Sequence, residues 1–147
     1  MTVSPLVIIN SIADRLRLIT VSNGYKTEIG SNVLVNERSF SFEDDIDKDT
    51  VNVCDDGIAW ESENNYFYRH QNFTLQFYVV ASNIVFINKV YDVYEDIEKF
   101  LLEIVKNVLS PEARVKIRNP KGSLKFHSDG REIALIEIDV TTTVIVK

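Results

Sequence analysis

Glu137-Ile138-Asp139 puts two carboxylates on one face of a strand, an arrangement that in metal-dependent hydrolases holds Mg²⁺. Such a nuclease site also wants a Glu-x-Lys, whose lysine supports the attacking water, and no lysine follows here. Alternating acids are in any case ordinary on the wet face of a long strand. Asp45-Ile46-Asp47-Lys48-Asp49 matches positions 1, 3 and 5 of a calcium-binding loop, but Thr50 replaces the glycine at position 6 and Asp56 replaces the bidentate Glu at position 12. A solvated acidic loop is the expectation. His127-Ser128-Asp129-Gly130 gathers the residue types of a nucleophilic triad, yet a triad is set by tertiary placement, and this order suits a tight turn. His70 belongs to the polar register of its strand and is expected at the surface. Two His and one Cys are too few for a zinc centre. The glycines are scattered, so no phosphate-cradling loop is present. The expectation is a protein without catalytic residues, metal or cofactor.

Two stretches suit contact with other proteins instead. Trp60, Tyr66, Phe67 and Tyr68, with Arg69 beside them, gather about a hairpin tip, and interfaces favour aromatics and arginine. Glu43, Asp44, Asp45, Asp47 and Asp49 make the 42–49 segment an exposed acidic loop. The expected contact residues are therefore Glu43, Asp44, Asp45, Asp47, Asp49, Trp60, Tyr66, Tyr68 and Arg69. The wet faces of the 66–81 strand and of the last strand carry Thr, Gln, Tyr and Val, and these strands, if left as unblocked edges, would add pairing between subunits.

The elements that must position them follow from periodicity. Ser4-Pro5 starts a helix, and Leu6, Ile9, Ile12, Ala13, Leu16 and Ile19 give it one apolar face over residues 5–21, with Asn23-Gly24 as its stop. A short strand follows around Val33 and Val35, and another over residues 50–54 that Asp55-Asp56-Gly57 ends. Residues 58–65 are a hairpin partner, turning at Asn64-Asn65, for a long strand over 66–81. In that strand Phe73, Leu75, Phe77 and Val79 face the core. A second helix carries Val90, Tyr94, Ile97, Leu101, Ile104 and Val108 as a stripe widened by Phe100 and Val105. Asp92, Glu95, Asp96, Glu98, Lys99 and Glu103 lie on its opposite face, and Ser110-Pro111 stops it. Strands over 114–118, 123–127 and 133–146 complete the chain. The order predicts one α+β domain over residues 1–147, with two helices packed against a mostly antiparallel or mixed β-sheet.

A chain of 147 residues buries a core without staples, and the lone Cys54 excludes an internal disulfide. The net charge of −6 argues against nucleic acid as a tightly held ligand. No apolar run approaches a bilayer span, and residues 1–10 lack the marks of a secretory signal, so a soluble protein made in the cytoplasm is expected.

One stretch points further. The first helix, then Ile19-Thr20-Val21-Ser22-Asn23-Gly24-Tyr25, then Thr27-Glu28-Ile29-Gly30, then Asn32-Val33 at a strand start, resembles the N-terminal region of phage tail-terminator proteins. These are also called minor tail or tail-completion proteins of long-tailed bacteriophages. The element order resembles theirs along nearly the whole chain, whereas the residue-level likeness covers about twenty positions. The resemblance implies a homo-oligomer, commonly a hexameric ring, that caps the tail tube and stops its polymerisation. Its partners would be the tail-tube protein and a head–tail connector protein. DNA would pass through the lumen without specific binding, and the protein would end in the virion tail after synthesis in the host bacterial cytoplasm, with no membrane involved. A head-completion or neck adaptor of the connector is the nearest alternative. A small metal-dependent hydrolase using Glu137 and Asp139 is the alternative of another class.

Overall fold

The computed structural model describes residues 2–36, 48–80, 86–106, 113–118, 123–128 and 132–147. Helix α1 spans Pro5–Leu16, with the Ser4 hydroxyl accepting from the Val7 amide at 3.2 Å. Strands β1 (Val33–Val35), β2 (Thr50–Glu63) and β3 (Tyr66–Val80) follow. Then come α2 (Phe86–Lys106), β4 (Ala113–Ile117), β5 (Ser123–Ser128) and β6 (Glu132–Val146). The six strands form a single sheet in the order β1-β2-β3-β6-β4, with β5 also pairing β6. Only β1 and β2 run parallel; the other pairs are antiparallel, so the sheet is mixed. β4 pairs β6 over Val140–Val144 and β5 pairs it over Glu132–Glu137, so the two share one flank of β6 end to end. This is the expected α+β domain with two helices on a sheet.

Both helices lie on one face of the sheet, α1 over β1 and β2, α2 over β3 and β4. The core is the period-2 register of the strands meeting the 3.6-residue stripe of the helices. Val51, Val53, Phe73, Leu75, Phe77, Val79, Ile136, Ile138 and Val140 bury themselves against Ile8, Ile12, Leu16, Val93, Ile97 and Phe100. The opposite face is polar along most of its length. It carries a smaller apolar cluster, Tyr78, Ile133 and Leu135, where β3 ends and β6 begins.

Leu6 (68%) and Val105 (47%), expected on the apolar helix faces, are exposed, and the 66–81 and last strands, expected as edges, are interior as β3 and β6. Three further expectations are corrected. The first helix stops at Leu16, short of residue 21; turns carry Leu18 to Thr20, and Gly24 in the left-handed region (φ 88) closes a 3₁₀ turn at Val21–Asn23. Ile19 is buried at the helical spacing without being helical. Second, Asp55-Asp56-Gly57 does not end a strand. A β-bulge there absorbs one residue, Gly57 takes φ 104, and β2 runs on unbroken to Glu63. The expected turn at Asn64-Asn65 is present, both residues left-handed (φ 51 and 66), as a two-residue type I′ hairpin requires. Third, Asp96 leaves the exposed face of α2 and is buried.

Candidate protein interface

The functional candidates sit on the arm formed by the far ends of β2 and β3. The alternation of β3 divides them between the faces. Phe67, Arg69 and Gln71 share the helix-side register with Phe73, and cross-strand pairing sets Trp60 opposite Arg69 and Ser62 opposite Phe67. Tyr66, Tyr68 and His70 project from the other face, with Glu61 opposite Tyr68. The bulge decides this distribution, since one inserted residue shifts the side to which each later residue of β2 points. The aromatic cluster read from the sequence is thus two clusters. Trp60 (60% exposed) and Phe67 (45%) stand on the helix side. On the open side Tyr66 and Tyr68 rings lie 6.3 Å apart, and Tyr68 stacks on His70 at 6.4 Å. His70 bridges Thr143 and Glu61 through its two ring nitrogens, each at 2.9 Å, which locks this side of the arm.

Arg69 is not a surface residue. It is 8% exposed, its guanidinium donates to the Val3 carbonyl, and burial lowers its pKa from the usual arginine value. Gln71 beside it donates to the Pro5 carbonyl at 3.2 Å. Thr2 exchanges hydrogen bonds with Lys147. Residues 2–5 therefore cross the helix side of the arm as a strap, and Arg69 is spent holding it. Asp49 is likewise engaged: its carboxylate accepts from the Val80 amide and the Lys89 ammonium, each at 2.9 Å, tying the start of β2 to the end of β3 and to α2. Glu43, Asp44, Asp45 and Asp47 lie outside the described residues, as do Asp129, Gly130, Val108 and Ser110-Pro111. Trp60, Tyr66 and, half-buried, Tyr68 remain as contact candidates, and Phe67 joins them.

Asp56 and Asp139 of the open face are both engaged. The Thr74 hydroxyl lies between Asp56 and Asp139, its single proton serving one of them, and Arg118 reaches Asp56 at 3.5 Å and the Phe73 carbonyl at 3.2 Å. Among the described residues, no three His, Cys, Asp or Glu side chains gather as a metal site would need. Cys54 is held by Gln76, whose side-chain oxygen also meets Asn52 and the Tyr78 hydroxyl.

The 24–30 stretch has a structural role that the sequence did not show. Asp96 accepts from the Lys26 amide (2.8 Å), the Thr27 amide (2.8 Å) and the Thr27 hydroxyl (2.6 Å). The Tyr25 hydroxyl donates to Glu103 at 3.1 Å, and burial, then this hydrogen bond, pushes its pKa up to about 12. Lys99 donates to the Gly24 carbonyl and sits 4.4 Å from the Tyr25 ring centroid, a cation–π contact. Lys26 pairs with Glu95. Gly30 packs so close to the end of α1 that a Cβ would lie 2.3 Å from the Leu16 carbonyl oxygen. One face of α2 therefore grips Gly24 to Thr27. The signal available in sequence was an acid, Asp96, one position round from the apolar stripe of α2.

No helix among the described residues is long and apolar enough to cross a membrane. No protein-family model matches the chain, and no curated protein matches it.

Proposed function

We propose that this chain is a structural protein that works through interfaces: the subunit of a ring that caps a phage tail tube, ends tube polymerisation and joins the tail to the head connector. The observation that carries the reading is the β2–β3 arm. It holds exposed Trp60, Tyr66 and Phe67 on paired strands, of which β3 stays paired with β6 as far as Phe67, and large exposed aromatics on such supported elements are what protein contacts use. The resemblance of residues 14–33 to tail terminators supplies the kind of partner. The clamp of α2 on Gly24 to Thr27 gives that stretch a role in folding, so the contact surface is sought on the arm and not there. The net charge of −6 suits a channel through which DNA slides without being held.

The test is to add purified protein to polymerising tail-tube protein and measure tube lengths by electron microscopy. A terminator fixes the length and is seen at one tube end. A connector adaptor leaves tube length unchanged and binds the portal side. Trp60→Ala with Phe67→Ala is expected to abolish capping while the protein stays folded. Unchanged capping by that variant would remove the helix-side aromatics from the contact.

A further inference from the structure

Among the described residues the two long margins of the sheet are open and oppositely charged. On one side β1 covers only residues 51–53 of β2, and the Asn36 side chain reaches as far as the Asp55 amide. Beyond the bulge the outer edge of β2 has no partner strand among the described residues. On the other side the outer edge of β4 has none either. The β2 margin carries Glu61 and Glu63, and the β4 margin carries Arg114 and Lys116, all exposed, with one Glu61 oxygen meeting His70. Register puts these four on the same face. Glu61 and Glu63 pair with Tyr68 and Tyr66, while Arg114 and Lys116 pair with Thr143 and Thr141, the residues opposite His70 and Asn72.

The margins also stand at matching height. Following the pairings across the sheet, Ala59 is level with His70, Thr143 and Arg114, and Trp60 with Arg69, Val144 and Ala113. Because each neighbour along this path is antiparallel, β4 runs opposite to β2. A rotation about an axis along the strands preserves both height and direction. It brings β4 of one molecule against β2 of the next in antiparallel sense, along edges that no described strand pairs. Closing strands into a ring needs a stagger, and a two-residue stagger keeps every side chain on its face while setting Arg114 directly opposite Glu61. Charged residues on an edge serve equally well to keep other strands away. That role explains charge on each margin but not opposite signs on one face, with Arg114 two residues from the level of Glu61.

We propose that the partner of these edges is a second copy of this chain. The basic β4 edge of one subunit adds antiparallel to residues 58–63 of β2 in the next, head to tail, as a heterologous contact that repeats until the ring closes. This rests on the ring of the proposed function and names the surfaces that build it.

The test uses two edge variants of the full chain. Glu61→Lys with Glu63→Lys makes both margins basic, and Arg114→Glu with Lys116→Glu makes both acidic. Each alone is expected to weaken self-association roughly tenfold or more, since like charges then face each other. Mixed in equal amounts, the two reassemble, because every seam in an alternating ring again joins opposite signs. Light scattering gives the mass, native mass spectrometry the 1:1 alternation, and circular dichroism shows that each variant is folded. A wild-type ring unaffected by either reversal overturns the edge pairing and leaves the ring reading intact. Loss of assembly in both variants without recovery on mixing also overturns it. A wild type that stays monomeric at every concentration overturns both. A ring that assembles by these edges but leaves tube length unchanged supports the pairing and removes the tail-capping role.

Discussion

Asp96 is the residue on which the grip of α2 turns. Truncating it leaves the Lys26 and Thr27 amides without their acceptor, and an unmet buried donor costs about 1–3 kcal/mol. Asp96→Ala is expected to lower stability by about 3 kcal/mol in urea denaturation, and Asp96→Asn by less, because an amide oxygen still accepts. Tyr25 supplies a pH dependence with a definite sign. Its pKa rises from 10.0 in the open chain to about 12 in the fold, through burial and then the Glu103 hydrogen bond. Above pH 10 the unfolded chain loses the phenol proton while the folded one retains it, so stability falls as pH rises from 10 to about 12. Tyr78, buried beside Cys54 and Glu137 and likewise raised to about 12, adds to the same window. Tyr25→Phe is expected to make the alkaline loss shallower, read from urea midpoints across that range.

At the scale of elements, glycine and asparagine decide where the chain turns and how closely it packs. Gly30→Ala sets a Cβ 2.3 Å from backbone that cannot yield, and is expected to cost about 3 kcal/mol in thermal or urea unfolding. Asn65→Gly is expected to act the other way, by roughly 0.5 kcal/mol, because Asn-Gly is the preferred pair for two left-handed turn residues. The arm was visible in the alternation of residues 66–79 and in the Asn64-Asn65 turn. The continuity of β2 was not, because Asp55-Asp56-Gly57 has the composition of a strand end and becomes a bulge only when β3 is present to pair on both sides of it. The strap over the arm was equally hidden. Nothing in the spacing of Val3, Arg69 and Gln71 says that they meet, and the contact depends on the two chain ends lying together, as Thr2 and Lys147 do.

For the whole molecule, opposite charge on two margins makes association sensitive to salt. Exposed pairs are screened beyond about 8–10 Å at ordinary ionic strength and sooner when salt is added. Rising salt is therefore expected to shift the wild type toward smaller species in sedimentation, and to affect the Glu61→Lys, Glu63→Lys variant little or in the reverse direction. Under the proposed edge pairing only the folded state assembles, so the melting temperature of the wild type is expected to rise with protein concentration, and that of the variant to stay flat.

The sequence by itself determined the class of fold, the second helix, the three C-terminal strands and the inward face of β3. Each follows from a local period that any neighbour with an apolar face can satisfy. Tertiary structure alone decided the rest. Asp96 left the wet face because it met the amides of Lys26 and Thr27, and Arg69 left the surface because the N-terminal strap crossed it. Acids at Glu61 and Glu63 and bases at Arg114 and Lys116 became two margins of one face only through the pairings of β3 and β6 that lie between them. A side chain's partners depend on register, and register is settled between strands rather than within one.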